Sequence, residues 1–270
     1  MSFFEISAIS LSPYVNVWLA NSLHPRTLHV FDRVCNLINE RRDVLSIVTP
    51  QIGNGPFNLV VQDGVLFSAR LNMESPISIS VDRLWLGDLN IKTAGTKSWA
   101  PRPDWELLHS RRDEIFNQLI LFSRIPCQSS LPTFLLSTFI TSVIAVDIPG
   151  CRAAAQNLAG LGIGLTPAGD DFILGSLYAA WIIHPLEIVR ALAEEIAKTA
   201  APLTTSLSAA WLRSAGRGEV GILWHDLFDA LLSSETVRIQ AVLDKILAVG
   251  ETSGADALHG FIDTLVGYLE

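Results

Sequence analysis

Charge is what this chain has least of. Only 17% of its 270 residues are Asp, Glu, Lys or Arg, against 49% hydrophobic, and the mean hydropathy is +0.37. A chain of this composition buries a great deal of itself, which excludes an intrinsically disordered protein. Basic runs are missing as well: 19 Lys and Arg stand against 27 Asp and Glu, for a formal net charge of −8. No stripe of cations is available to track a phosphate backbone, which excludes nucleic acid as a partner. Cysteine is scarce. The three, Cys35, Cys127 and Cys151, are far apart and odd in number. They exclude a disulfide framework and a C-x-x-C metal knuckle, and imply buried free thiols in a reducing, cytoplasmic compartment. The six histidines are scattered, against a His-based metal centre. There is no Walker loop and no Gly-x-Ser-x-Gly elbow.

A long hydrophobic span is lacking too. The longest uncharged stretch, Ile125 to Val146, holds Pro126, Pro132, Gln128 and hydroxyls from Ser129 to Ser142. A spanning helix needs roughly 20 mostly apolar residues, so this stretch reads as a loop followed by a buried helix, with no membrane association. The first twenty residues carry no basic segment ahead of an apolar block, so no signal peptide is expected.

What is present falls into two periodicities. Short β-branched runs at Val44–Val48 and Asn58–Val61 flank the turn-rich Gly53-Asn54-Gly55-Pro56, and Val65–Leu71 follows as a further strand. Ile77 to Val81 alternates apolar and polar with period two, and Leu84–Leu86 and Leu89–Ile91 are shorter candidates. From Trp105 onward the spacing is helical. Ile188, Leu192 and Ile196 recur along Leu186–Ala200, and Ile239, Val242, Leu243, Ile246 and Leu247 share one face of Val237–Val249, with Gly250 as its C-cap. Ala255–Leu269 is amphipathic, while Phe172–Ile183 is apolar all round and belongs in the middle of a bundle. The expected fold is α+β. A β-rich half over residues 1–105, a mostly antiparallel sheet or small barrel, packs on a helical bundle over 106–270 and shares a cleft with it, the whole being two regions or one continuous unit.

The most informative string is Gly160-Leu-Gly-Ile-Gly-Leu-Thr-Pro-Ala-Gly-Asp-Asp171. Thr166-Pro167 is a helix-start pair, Thr as N-cap and Pro at the first helical position. Gly160, Gly162 and Gly164 permit positive φ and close backbone approach to a ligand. Free N–H groups at a helix start beside such a loop form an anion site, and Gly169 keeps its first turn clear. Asp170 and Asp171 favour the helix dipole, so a well-capped structural helix is one reading. Adjacent carboxylates repel, however, and one of them must face the apolar side, where an unpaired charge is costly. They would also repel phosphate. Either a divalent cation such as Mg2+ bridges them, or they accept hydrogen bonds from a substrate rich in N–H groups.

Gly162 to Asp171 resembles the signature of a bacterial family that includes the AllH-type subunit of oxamate carbamoyltransferase. Val30-Phe-Asp-Arg-Val-Cys-Asn36 with Gly53–Asn58, Thr204-Thr-Ser-Leu-Ser208 with Leu212-Arg-Ser-Ala215, and Gly250-Glu-Thr-Ser-Gly254 are similar to it in the same order. One position departs: His is expected where Glu251 stands. The resemblance implies carbamoyl transfer between oxalurate and phosphate, giving oxamate and carbamoyl phosphate in purine-nitrogen (allantoin) catabolism, by an assembly with an FdrA-type partner.

Other segments carry both a structural and a functional reading. Arg213 and Arg217, four apart, suit a carboxylate or phosphate or a solvated face. Thr205, with its neighbours Thr204 and Ser206, is a ligand contact or an N-cap. Thr252 and Ser253 are ligand contacts, or Ser253 forms a capping box with Asp256. Asn54 and Asn58 present amides to a ligand or serve hairpin chemistry. With Asp170 and Asp171 as catalytic candidates, a binding set of Asn54, Asn58, Gly162, Gly164, Thr166, Gly169, Thr205, Arg213, Thr252 and Ser253 would converge on one pocket. Two function classes remain: an enzyme or enzyme subunit acting on a small ureido or carboxylate compound with phosphate, or a non-catalytic ligand-sensing or scaffold subunit. An anion site lined by N–H groups beside acidic side chains and arginines supports the first, and the departure at Glu251 with the absence of an obvious nucleophile supports the second, which stands as the alternative.

Overall fold

The computed structural model of the chain describes residues 4–118 and 131–270, so Cys127 and the start of the stretch from Ile125 lie outside the described residues. The chain divides into two compact units, Met1–Pro101 and Arg102–Glu270.

The first unit is a nearly closed, barrel-like sheet. Its strands are β1 (Phe4–Leu11), β2 (Arg26–Val30), β3 (Val34–Ile38), β4 (Val44–Val48), β5 (Asn58–Val61), β6 (Ile77–Ile79), β7 (Arg83–Leu86), β8 (Leu89–Lys92) and β9 (Lys97–Ser98). They lie in the order β2-β3-β4-β5-β1-β8-β7-β6, with β9 also paired to β1. Most pairings are antiparallel, as the short alternating runs imply. β1 with β8, β1 with β9, and β4 with β5 run parallel. The parallel β4–β5 pair corrects the hairpin reading of Gly53–Pro56, because adjacent strands in one direction need a returning connection rather than a tight turn. β4 and β5 are buried on both faces, which is why they read as continuous apolar runs.

Two other expectations change here. Val65–Leu71 is not a strand: the chain makes a 3-10 turn at Phe67–Ala69, with the Arg70 and Leu71 N–H groups closing on the Phe67 carbonyl while the Phe67 ring plugs the core. Between β1 and β2 stands a helix that the pattern did not announce, α1 (Pro13–Asn21). Pro13 opens it after Ser12, and Val15 and Trp18 supply its buried contacts.

The second unit is helical throughout its described length: α2 (Trp105–Ser110), α3 (Arg112–Phe116), α4 (Thr133–Ile144), α5 (Ile148–Leu158), α6 (Ala168–Ile183), α7 (Leu186–Ala200), α8 (Ser206–Gly216), α9 (Ile222–Ser233), α10 (Thr236–Leu247) and α11 (Ser253–Leu269). Every residue of α6 is buried, as a helix apolar all round must be. α11 lies tightly against α6. A Cβ at Gly175 would strike the Ala257 carbonyl, and one at Gly260 the Phe172 carbonyl, so the two backbones approach too closely for any side chain there. Trp224 and Phe228 pack edge-on to Tyr178, and Phe261 packs edge-on to Trp224 and tilted against Phe228. On α7 the buried face is Val189, Leu192, Ala193 and Ile196, whereas Ile188 faces outward. No helix among the described residues is long and apolar enough to cross a membrane.

Candidate functional site

The segment between α5 and α6 is a loop, and Gly160, Gly162 and Gly164 sit at φ +74°, +119° and +98°, where L side chains are strained. Two of them have no room for a side chain either: a Cβ at Gly160 would lie 2.7 Å from the Leu203 carbonyl oxygen, and one at Gly162 2.8 Å from the Ala168 nitrogen. Gly164 is open. Residues 161–165 are exposed, and among the described residues the N–H groups of 162–166 have no hydrogen-bond partner. Successive unpaired N–H groups in a glycine-rich loop suit an anion.

The helix start differs by one residue from the expected pattern. Pro167 is the N-cap, extended at φ −55° and ψ 144°, and Ala168 is the first helical residue. Thr166 therefore does not cap. Its hydroxyl lies 2.7 Å from that of Ser253, tying the loop to the start of α11. The first turn of α6 is also less free than expected, since the N–H groups of Asp170 and Asp171 go to the Pro167 carbonyl and that of Gly169 to the Leu161 carbonyl. Gly169 faces the Leu158 carbonyl at the end of α5, so its missing side chain serves helix packing rather than ligand access. Any anion site here belongs to the loop.

The two adjacent aspartates have different surroundings. Asp170 is 1% exposed, and its carboxylate is used completely. Oδ1 accepts from the Gly160 N–H at 2.9 Å, and Oδ2 accepts from the Ser208 hydroxyl at 2.8 Å and from the Thr204 hydroxyl. Burial raises its pKa, and these three donors oppose the rise. Thr205 completes this pin. It N-caps α8 by accepting from the Ser208 N–H, and its hydroxyl donates to the Leu165 carbonyl at 2.6 Å.

Asp171 is 7% exposed, and its Oδ2 is buried with no hydrogen-bond partner. Burial pushes its carboxyl up to about 8. The Ser253 and Thr166 hydroxyls oppose this, while the charges of Asp256 and Asp170 add to it. Asp171 is therefore largely protonated at neutral pH. The two aspartates address different partner sets, and among the described residues no group of three or more His, Cys, Asp or Glu is placed to hold a metal ion.

Sequence reasoning read Asp256 only as part of a cap. Thr252, not Ser253, is the N-cap of α11, and it makes no side-chain cap bond. Asp256 is 7% exposed, with its pKa raised by burial against the Thr252 hydroxyl and His259. The available signal was the spacing of Asp256, His259 and Asp263 on one face of an otherwise apolar helix. Thr166, Asp170, Asp171, Thr205 and Ser253 are thus linked into one cluster. Arg213 is not in it: it lies two turns along α8 from Thr205, about 12 Å at the helical rise, exposed and without an ion pair among the described residues. Arg217 is engaged by Glu219 at 2.6 Å. In the sheet unit Asn54 accepts from the Ser10 hydroxyl at 2.6 Å, and Asn58 donates to the Gly53 carbonyl at 3.0 Å. Glu251 is exposed in the turn before α11. A cavity bounded by Trp105, Trp181, Arg190 and Arg217 lies elsewhere on the helical unit and shares no residue with the cluster.

Two family models match this chain. That of the AllH family N-terminal domain covers residues 9–98, and that of the oxamate carbamoyltransferase subunit AllH covers residues 158–265. No solved structure matches. The second match contains the glycine loop, the α6 start and the α11 start, and its description is that of one subunit of an enzyme, which points to a multi-protein complex and a carbamoyl-transfer role. The two matches follow one another in order and span most of the sequence, and the chain belongs to the AllH family.

Proposed function

We propose that the chain is the part of a carbamoyltransferase that holds a small ureido or carboxylate compound at the glycine loop, with phosphate as cosubstrate. One observation carries this reading: a buried carboxyl, Asp171, whose Oδ2 has no partner, stands beside a run of unused N–H groups. Leaving a polar atom buried and unsatisfied costs about 1–3 kcal/mol, and such a cost persists where a ligand supplies the missing partner.

In transfer between oxalurate and phosphate, a phosphate oxygen bonds to the carbamoyl carbon and the C–N bond to oxamate breaks. The oxamate nitrogen gains a proton and phosphate loses one. Asp171 suits that exchange: it gives a proton from its neutral form to the departing nitrogen and regains one from phosphate. The loop N–H groups stabilise the oxygen that becomes negative on the carbamoyl carbon. Asp170 acts through position, holding Gly160 and the start of α8 so that the loop keeps its shape. An FdrA-type partner belongs to the same proposal as the source of groups this chain lacks.

The test is phosphate-dependent conversion of oxalurate by the purified chain, alone and with that partner. Turnover that is lost in Asp171→Asn supports the proposal, and turnover unchanged in that variant overturns it. Binding without turnover in either setting supports the ligand-sensing reading, which the exposed Glu251 at the expected His position favours.

A further inference from the structure

The cavity that shares no residue with the loop cluster lies toward the other ends of α6 and α8. Trp181 stands about 16 Å along α6 from Asp170 at the helical rise, and Arg217 caps the end of α8 whose start holds Thr205 and Ser208. The cavity has a volume of about 190 Å3, room for roughly six water molecules. Trp105 of α2 and Trp181 form its floor, both buried, with ring centroids 5.5 Å apart in a stacked pair. Their indole N–H groups are already used: Trp105 donates to the Gly218 carbonyl at 2.8 Å and Trp181 to the Ala215 carbonyl at 2.9 Å. Gly218 sits at φ +71°, and a Cβ there would lie 2.7 Å from Trp105 Nε1, so no side chain fits behind the floor. With Leu186 from the start of α7, the floor is apolar and fixed.

The charged groups around that floor divide into matched and unmatched. Arg217 is met by Glu219 at 2.6 Å and by the Ser214 hydroxyl at 3.2 Å. Asp104 N-caps α2, accepting from the Leu107 N–H at 2.9 Å. Arg102, Arg190 and Glu106 also line the cavity, are exposed, and make no ion pair or hydrogen bond among the described residues. One exposed charge without a partner is ordinary solvated surface. Two cations and one anion left unmatched around a single apolar floor describe a ligand of the opposite pattern. We propose that this cavity binds a small acidic amino acid, with its two carboxylates on Arg102 and Arg190, its ammonium on Glu106 and its methylenes on the floor. A guanidinium fork matches a carboxylate, and Glu106 is the acceptor that an ammonium needs. A bare phosphate would leave Glu106 facing an anion, and a neutral amide would leave both arginines unmatched. The site is separate from the glycine loop, and nothing in it depends on carbamoyl transfer.

The test is calorimetric titration of the purified chain with L-glutamate and with L-aspartate, at least one of which should bind. Analogues then read each contact. Glutarate and succinate lack the ammonium, and glutamine and asparagine lack the second carboxylate. Each should bind about tenfold more weakly than its parent, the loss expected of one charge-assisted contact. Arg102→Gln and Arg190→Gln should each weaken the amino acid by a similar factor. Glu106→Gln should weaken the amino acid and spare the diacid, so that the preference for an ammonium disappears. Arg238→Gln, exposed on α10 and outside the cavity, should bind as the wild type does. The three lining positions are exposed, so thermal unfolding should be unchanged in their variants. If one of them fails to fold, the analogue series on the wild type still decides. The proposal is overturned if neither amino acid binds, or if the diacid or the amide binds the wild type as tightly as its parent. It is equally overturned if binding survives both arginine substitutions, or if the ammonium preference persists in Glu106→Gln. A loss in Arg238→Gln as large as in Arg190→Gln would reduce the binding to a general attraction for anions and overturn the site.

Discussion

Each unit turns its chain on a glycine-rich segment, and the two segments differ in what they leave unsatisfied. In the sheet unit, Gly53 donates to the Thr49 carbonyl, Asn58 donates its N–H to Gly55 and its amide to Gly53, and Asn54 accepts from Ser10. Those polar groups are closed within the loop and its neighbouring strand. In the helical unit, the N–H groups of 162–166 and one oxygen of Asp171 find no partner among the described residues, whereas the Asp170 carboxylate accepts three hydrogen bonds. Both segments are rich in Gly with an Asn or Asp nearby, so composition alone does not separate a structural turn from a binding loop. The separation lies in which donors and acceptors find partners.

The largest expected effect concerns Asp171. Its folded value, about 8, lies above the ordinary 3.8, so the native chain retains a proton that the unfolded chain releases. The stabilising contribution is full below pH 3.8 and is lost as pH rises through about 8. Asp171→Asn removes this dependence. It should stabilise the chain by on the order of 3–5 kcal/mol at pH 9 and by little at pH 4, while removing ligand response. Urea unfolding at the two pH values measures it. An equal effect at both would break the contrast with the closed turn of the sheet unit, because Asp171 would then be an ordinary structural carboxylate.

Asp170→Ala should act in the opposite direction. It strips three donors of their acceptor and should cost about 2–4 kcal/mol at pH 7, accompanied by faster amide exchange from Gly160 through the start of α8. Loss of stability without loosening of that loop would show that the pin is not what holds it.

Much of this was legible beforehand because local rules governed it. The bounds of α7 follow from a pattern with a clear apolar face, and the three positive-φ glycines from their spacing and the helix start behind them. Other features depend on partners distant in sequence. Gly169 is glycine because the Leu158 carbonyl meets it, not because a ligand does. Pro167 stands at the N-cap because Thr166 is drawn to Ser253, 87 residues on. α1 was missed because its buried contacts reduce to Val15 and Trp18, too few to set a period. Val65–Leu71 read as a strand because its buried residues, Val65, Phe67 and Leu71, are spaced by two and four, a spacing that a tight turn satisfies equally. The burial of Asp256 was hidden by a cap-like spacing from Ser253, and Arg213 looked available because the sequence does not say which end of α8 meets the site.

A smaller effect tests the sheet unit's turn. Asn58 is buried, and a Cβ at Gly55 would lie 2.7 Å from its amide nitrogen, so amide and turn are fitted to each other. Asn58→Ala should cost about 1–2 kcal/mol in thermal unfolding and leave sulfate or oxamate binding at the helical unit unchanged. Weakened ion binding in this variant would give Asn58 the ligand role that its spacing first suggested, and would narrow the difference between the two glycine turns.

The smallest effect is expected at Glu251. It is exposed, in the turn ahead of α11, and makes no hydrogen bond or ion pair among the described residues. Glu251→His should therefore change stability by no more than about 0.5 kcal/mol, as surface changes away from special features do. Its position is nonetheless informative, because Thr252 and Ser253 follow it directly and Ser253 bonds to the loop. An imidazole placed there would stand two residues from Ser253, which bonds to the loop, with a proton to exchange near neutral pH. If carbamoyl transfer needs that group, the substitution should create or raise phosphate-dependent turnover of oxalurate in a chain that binds but does not react. If it does so, the glutamate marks a member that keeps the loop for binding and leaves the chemistry to another subunit. Unchanged turnover beside unchanged binding would show that the imidazole is not what this chain lacks for the reaction.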